Sequence, residues 1–293
     1  MDVIAALFGV VAPVMVVTLV GYVWAIRKYD FDHGLITRLV TMVGAPAMVF
    51  STFTGVSLPQ DEMVRMAEAS LACIALFAVM GLAVLSVARL PVRVYLPSLT
   101  FPNIGNMGLP VCLLAFGQSG FAMAMIYFAL GTVLQFTAGP AIAAGKAHWS
   151  APFRVPFIYA VVAALAVNFA HIPIPAWVAS TATLLAGMTI PLMLLSLGVA
   201  LAQLRAANLG RALTFSILRL AVGVGVGFAV SAALGLSPAE RGVVVIQSAM
   251  PVAIFNFLFA RMYDNRPDEV AGMVLISTIL SYISLPLTVA LVM

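Results

Sequence analysis

The chain has 293 residues, 63% of them hydrophobic and 8% charged, with a formal net charge of +4. Soluble domains are about 45–50% apolar and about 25% charged, so a mean hydropathy of +1.15 excludes a soluble enzyme and describes a polytopic membrane protein. The basic residues are scattered singly along the chain, which argues against a nucleic-acid partner.

Apolar runs of roughly 20 residues cross the hydrocarbon core. They are expected near 5–26, 35–57, 65–88, 94–117, 119–142, 155–171, 176–203, 210–235, 239–261 and 268–292. The first opens on Met1-Asp2 with no basic leader or small-residue cleavage site, so it is expected to be a spanning helix and not a removed signal peptide. The sixth run is short, and the fourth and ninth carry proline in mid-run. Cys73 and Cys112 lie inside apolar runs and read as small buried hydrophobes, not as a disulfide framework. Arg27, Lys28, Arg89, Arg93, Lys146, Arg154, Arg205, Arg211, Arg261 and Arg266 fall on one set of alternate connections, with Arg65 and Arg241 on the other. That bias places the first set in the cytoplasm and both termini outside.

The two halves resemble each other. "MVGAPAMVFSTFTGVSL" (42–58) aligns with "MTIPLMLLSLGVAL" (188–201), placing Pro46 opposite Pro191. "RVYLPSLTFPNIGN" (93–106) aligns with "RGVVVIQSAMPVAIFN" (241–256), placing Pro102 opposite Pro251. Five spans per half is an odd number, so the second copy would enter the membrane from the opposite side, which is the inverted-repeat pattern of secondary transporters. The expected division is a first repeat over 1–145, a cytoplasmic connecting loop over 146–154 and a second repeat over 155–293.

"LTFPNIGNMGLPVCLL" (99–114) concentrates poor helix formers inside an apolar run. Proline costs about 3 kcal/mol in a helix interior, and irregular backbone at membrane depth persists only where it is buried in protein or lines a wet cavity. Pro102 interrupts the ladder, Gly105 admits close backbone approach, and Asn103 and Asn106 supply amides; in the other half Pro251 is flanked by Gln247, Ser248 and Asn256. If the two breaks cross at the midplane, two half-helix N-termini present about half a positive charge each, an arrangement suited to an anion.

These motifs carry a family likeness. "LTFPNIGNMGLPVCLLAFG" resembles the fourth-helix motif of the auxin efflux carrier family, and "AMPVAIFNFLFARMYDNRPDEVAGMVLISTILSYISLPLT" resembles its C-terminal helices; "VGAPAMVF" in the second helix extends the likeness. The resemblance implies an all-α fold of ten transmembrane helices in two inverted five-helix repeats. Helices 1, 2, 6 and 7 would form a scaffold, and helices 3–5 and 8–10 a mobile transport domain. It further implies a homodimer through the scaffold, set among membrane lipid, and substrate at the crossover of helices 4 and 9. Pro102 and Asn103 fall on the family's crossover Pro-Asn, Pro251 on its counterpart, and Gln135 on the fifth-helix Gln of the plant exporters. Where those exporters carry an Asp and a Lys in the third helix, this chain reads "MAEASLACIAL", with Glu68 and Cys73. Bacterial relatives imply the cytoplasmic (inner) membrane.

No Asp or Glu lies in the middle third of any expected span, which disfavours an antiporter built on a buried carboxylate pair. Na+ or H+ coupling stays open, because Ser51–Thr54, Thr278 and Ser281 could offer oxygens to an ion or bond back to their own helices. Arg219 stands inside a span, either as an electrostatic attractor for an anion or snorkelling to the headgroups; Arg38 and Glu68 lie nearer the interfaces. His33, His148 and His171 fall on loops without metal-ligand spacing, so no metal or cofactor is expected. An enzyme would need a nucleophile–base pair, a carboxylate dyad or metal ligands at depth, and none is present. The expected function is a secondary transporter moving a small organic anion by alternating access, elevator-fashion. The alternatives are a sodium-coupled bile-acid-type symporter and an anion channel or sensor of the same architecture. Its substrate carboxylate would meet Asn103, Asn106 and the half-helix N-termini, with Gln135, Gln247 and Asn256 shaping the pocket.

Overall fold

The computed structural model describes residues 3–56, 58–146, 156–169 and 172–293. The connecting loop beyond Lys146, with His148 and Arg154, and also His171, lie outside the described residues. Among the described residues the chain is helical, with one isolated antiparallel pairing between Pro102 and Val252. In order the helices are α1 (Val3–Ile26), α2 (His33–Leu39), α3 (Ala45–Gly55), α4 (Gln60–Ala88), α5 (Val92–Thr100), α6 (Leu109–Ala144) and α7 (Pro156–Phe169). They continue with α8 (Ala176–Gly187), α9 (Thr189–Gln203), α10 (Leu209–Ala233), α11 (Pro238–Ser248), α12 (Ile254–Met262) and α13 (Pro267–Val292).

Proline sets most of the interruptions. Pro46 has no N–H to return to the preceding turn, and the chain meets it with a π-helical turn over Val40–Gly44 that joins α2 to α3. Pro191 sits in the first turn of α9, just after Met188 separates it from α8. Seven segments among the described residues are long and apolar enough to cross a membrane: Gly9–Ile26, His33–Gly55, Gln60–Ala88, Ile104–Ala144, Ala176–Gln203, Leu209–Ala233 and Pro267–Val292.

The difference from the ten expected runs lies in three places. The run at 155–171 corresponds to α7, which is 14 residues long. The run at 239–261 is divided into α11 and α12, with Pro251 between them. The run at 94–117 is interrupted at 101–103, and the helical stretch from Ile104 to Ala144 joins it to the run at 119–142 through a kink at Gly117, the boundary expected between the two. Within that 41-residue stretch Gly117 takes φ 63° and ψ −157°, a backbone state open to glycine and strained for other residues. The helix therefore turns a corner there.

Packing follows small residues. α1 lies along α9, and at their contact a Cβ on Gly198 would collide with the Thr18 carbonyl, as one on Gly21 would with the Leu195 carbonyl. Such approach of backbones is how helices associate where lipid removes the hydrophobic drive. α3 packs on α7 and α8, α6 on α4 and α11, and α10 on α11 and α13. Ile279, Ile283, Leu287 and Leu291 make an exposed apolar stripe along α13 at four-residue spacing, the side expected to meet lipid.

Two clusters of charges near helix ends are tied by ion pairs. Arg65 on α4 donates to Glu240 Oε1 (2.8 Å) and to Asp61 Oδ2 (2.7 Å). Glu240 also closes a capping box with Ser237 at the start of α11, which satisfies two orphan donors there. At the start of α10, Arg211 donates to Glu269 on α13 (3.0 Å) and to Tyr95 on α5 (2.8 Å), and the Tyr95 hydroxyl donates to Glu269.

Candidate functional site

The site is built where two interrupted helices pass each other. The Asn103 N–H donates to the Pro251 carbonyl (2.7 Å), and the Ala253 N–H donates to the Phe101 carbonyl (3.3 Å). Phe101-Pro102-Asn103 and Pro251-Val252-Ala253 thus lie antiparallel like two short strands. Asn256, in the first turn of α12, donates its side-chain amide to the same Phe101 carbonyl at 2.9 Å. The Val252 N–H is taken by Ser277 Oγ on α13 at 3.0 Å. Every one of these bonds meets the membrane requirement that freed backbone groups be satisfied internally. After the crossing, a π-helical turn at Ile104–Gly108 leads into α6, a geometry frequent at functional sites.

What stays unsatisfied is side-chain amide and hydroxyl. Asn103 Nδ2, Gln135 Nε2, Asn256 Oδ1 and Thr100 Oγ1 are buried without a hydrogen-bond partner. Leaving one such group unpaired costs about 1–3 kcal/mol, which makes these atoms candidate contacts for a polar ligand. Gln135 belongs with the crossing by position. One turn before it, Gly131 abuts Ile104, and one turn after it, Gly139 abuts Phe101 and Phe259, so its face of α6 looks onto the crossing.

A cavity of about 400 Å³ adjoins the crossing. Its inner end touches Asn106 and Ile254, in the first turns of the two half-helices that begin there, and neither N-terminus is capped by a side chain. Its outer end reaches the end of α12 at Arg261, the end of α9 at Gln203 and the start of α2 at His33. Between them the wall is mainly apolar, with Met193, Leu197, Phe255 and Phe257. A mostly apolar pocket with a few polar groups at one end is the usual form of a small-molecule site, and uncapped helix starts favour negative charge.

The residues expected from the sequence are placed as follows. Pro102, Asn103, Pro251 and Asn256 form the crossing itself, and Asn106 lines the cavity. Gly105 faces Phe128 and Met193, which leaves no room for a side chain there. Gln247 donates to the Ala124 carbonyl at 3.5 Å, and a Cβ on Gly108 would collide with its Oε1. Ser248 Oγ is 3.1 Å from the Tyr127 hydroxyl. Gln247 and Ser248 therefore engage α6 beyond Gly117 and are not among the residues lining the cavity. Arg219 is 1% exposed, with Nη2 donating to the Ser248 carbonyl at 2.9 Å. Its side chain does not snorkel, and it too is absent from the cavity lining. Thr54, Thr278 and Ser281 donate to carbonyls of their own helices (2.7, 2.7 and 2.6 Å), as does Ser51 at 3.3 Å. Arg38 and Glu68 are exposed.

Ser277, Thr100, Met193, Gln203 and Arg261 were not singled out as site residues by sequence. Arg261 had a signal as one of the basic residues of the cytoplasmic set, just after the second broken run. The others are a serine, a threonine, a methionine and a glutamine in apolar helices, with nothing in the pattern to say which way they face.

Comparison with known proteins finds membrane transporters. Residues 141–289, more than half of the chain, match the family described as membrane transport protein. The chain is 27% identical over 197 residues to an uncharacterised transporter of Methanocaldococcus jannaschii and 30% identical over 193 residues to an uncharacterised transporter of Methanothermobacter thermautotrophicus. Each of these alignments covers 63% of this chain and 63% of the relative. It is 31% identical over 121 residues to auxin efflux carrier component 1 of Arabidopsis thaliana, an alignment covering 40% of this chain and 19% of the plant protein.

Proposed function

The chain belongs to the membrane transport protein family, that of the auxin efflux carriers, and is a multi-pass membrane transporter and not an enzyme; from that premise we propose that it is a secondary carrier of a small organic carboxylate. The observation that carries this reading is the meeting of a 400 Å³ cavity with two uncapped helix starts, beside the unpaired amide donors Asn103 Nδ2 and Gln135 Nε2. A carboxylate's two oxygens accept from such amides while the half-helix dipoles stabilise its charge. The apolar wall takes the body of the substrate. The plant relative is named for efflux of auxin, itself an organic acid.

The carrier crosses the membrane ten times when Ile104–Ala144 is divided at Gly117 into two crossings, with α5 joining the first, and α7 and the interrupted pair α11–α12 are counted as one each, and the repeats 1–145 and 155–293 are inverted. Two features support that reading. The segments holding Pro102 and Pro251 pair across the crossing, through Pro102 with Val252 and Asn103 with Pro251, and the ion-pair clusters at Arg65 and Arg211 each tie the start of one half's third helix to the start of the other half's fourth. Helices α1 to α3 and α7 to α9 form the scaffold, and α4 to α6 with α10 to α13 move as the transport domain. The packing preferences support this division, because α1 favours α9 and α3 favours α7 and α8. The cavity lies on the seam between the two groups, open on the side of the Lys/Arg-rich connections. With the termini outside, in a cytoplasmic membrane, that side is the cytoplasm, and the state is inward-facing. The scaffold is also the surface through which two copies pair.

The test is uptake into proteoliposomes of malonate, lactate and indole-3-acetate by wild type and Asn103→Ala. Saturable uptake of at least one acid, reduced roughly tenfold or more in the variant, supports the reading. Uptake unchanged by the substitution removes the crossing from substrate binding.

A further inference from the structure

Arg219 stands at the middle of α10, and the carboxylate site does not use it. Its Nη2 donates to the carbonyl of Ser248, the last residue of α11, and its guanidinium carbon lies 4.2 Å from the centroid of the Phe77 ring on α4. Nε and Nη1 have no partner, and no ion pair among the described residues includes it. A cation buried at this depth without a carboxylate is expensive and is a functional candidate by default.

Two surroundings make the position tolerable. The C-terminus of a half-helix carries about half a negative charge on its free carbonyls, and Arg219 sits on such an end. The Phe77 ring offers its negative face to the guanidinium. In carriers with broken helices, half-helix C-termini and unwound carbonyls are where the coupling Na+ or H+ is held. Here the protein's own cation is already on one of them. The adjoining void is about 20 Å³, too small for a hydrated ion. Among the described residues the buried charged side chains are Arg219 and Glu240, and Glu240 is spent at the outer start of α11 on Arg65 and Ser237. No buried carboxylate among them is left to recruit an inorganic cation.

We propose that Arg219 is a tethered substitute for a coupling cation, a fixed positive charge on the half-helix end that other carriers fill from solution. The inference rests on the carrier reading above. Arg219 is a positioning residue: it holds the end of α11 against α10 and α4 in every step of the cycle, so the transport domain stays closed on that side whether or not substrate is bound. Transport then needs neither Na+ nor a proton gradient.

The experiment measures carboxylate uptake and thermal unfolding in Na+, K+ and choline media at equal ionic strength, for wild type, Arg219→Lys and Arg219→Ala. Wild type and Arg219→Lys are expected to behave alike in all three media. Arg219→Ala is expected to lose roughly tenfold or more of its uptake in choline, and to regain uptake and thermal stability with millimolar methylguanidinium or Na+. Uptake or unfolding of the wild type that requires Na+ overturns the proposal, as does an Arg219→Ala protein that transports normally in choline. If Arg219→Ala does not fold, the Na+ response of wild type and Arg219→Lys decides in the same way. If wild type carries none of the acids, the carrier reading fails separately. The proposal is then decided by unfolding alone: stabilisation of Arg219→Ala by methylguanidinium, absent in wild type, supports it, and no such stabilisation overturns it.

Discussion

Where the half-helices begin, at Ile104 and Ile254, the protein leaves a cavity of about 400 Å³ bordered by Asn106 and, further out, Arg261. Where they end, at Thr100 and Ser248, it packs shut around Arg219, with a void of about 20 Å³. The same interruption of backbone exposes donors on one side and acceptors on the other, and the chain treats them differently. The starts of the new half-helices carry no side-chain cap and border space for a ligand, whereas the freed carbonyls are closed with protein: Asn256 and Ala253 on the Phe101 carbonyl, Asn103 on Pro251, and Arg219 on Ser248. A break in a membrane helix creates two half-sites of opposite sign, and which one is left open determines the charge of the ligand.

That contrast is broken most severely by Asn103→Ala, which removes an unpaired donor at the crossing itself. A hydrogen bond to a charged group is worth about 1.5–3 kcal/mol, so apparent affinity for the carboxylate should fall roughly 10- to 100-fold. Concentration-dependent uptake measures this, and folding, followed by size exclusion in detergent, should hardly change. Ser277→Ala works on a backbone donor of the crossing that protein already closes. It leaves the Val252 N–H unpaired, at a cost of about 1–3 kcal/mol, so the unfolding midpoint should drop while the affinity of the surviving protein stays that of wild type. If Ser277→Ala instead altered affinity with no effect on stability, the open and closed groups would not be distinct. The smallest effect belongs to Arg261→Gln at the outer end of the cavity. An exposed charge there acts over about a Debye length, near 8 Å at physiological salt, so uptake at low salt should fall about twofold and the difference should vanish at high salt.

The crossing was legible in the sequence because proline and asparagine are costly in an apolar helix. Pro102 and Pro251 therefore stood out, as did Asn103, Asn106 and Asn256. The pairing of the breaks followed from the alignment of the two halves, and the structure joins them through Phe101, Asn103, Pro251 and Ala253. The cavity was not legible. In a soluble helix the polar face marks the outside, but in a membrane lipid-facing and core-facing positions are both apolar, so nothing in 33–41 or 193–204 indicates that Thr37, Met193 and Gln203 share a wall. The neighbours of Gln247 and Ser248 were not legible for a related reason. Both lie beside Pro251 in sequence, yet they precede the break, and α11 turns them towards Ala124 and Tyr127. The fate of Arg219 was undecided between two readings, because depth along a helix does not say which neighbour is there to receive the charge.

The most direct measurement of the central claim, that the open side of the crossing receives an anion, is the reactivity of Asn106→Cys towards methanethiosulfonate reagents of opposite charge. The native Cys73 and Cys112 are fully buried and leave a quiet background. The account predicts faster reaction with the anionic sulfonatoethyl reagent than with the cationic trimethylammonium one, and protection by the transported carboxylate. Equal rates without protection, or faster reaction with the cationic reagent, would contradict it.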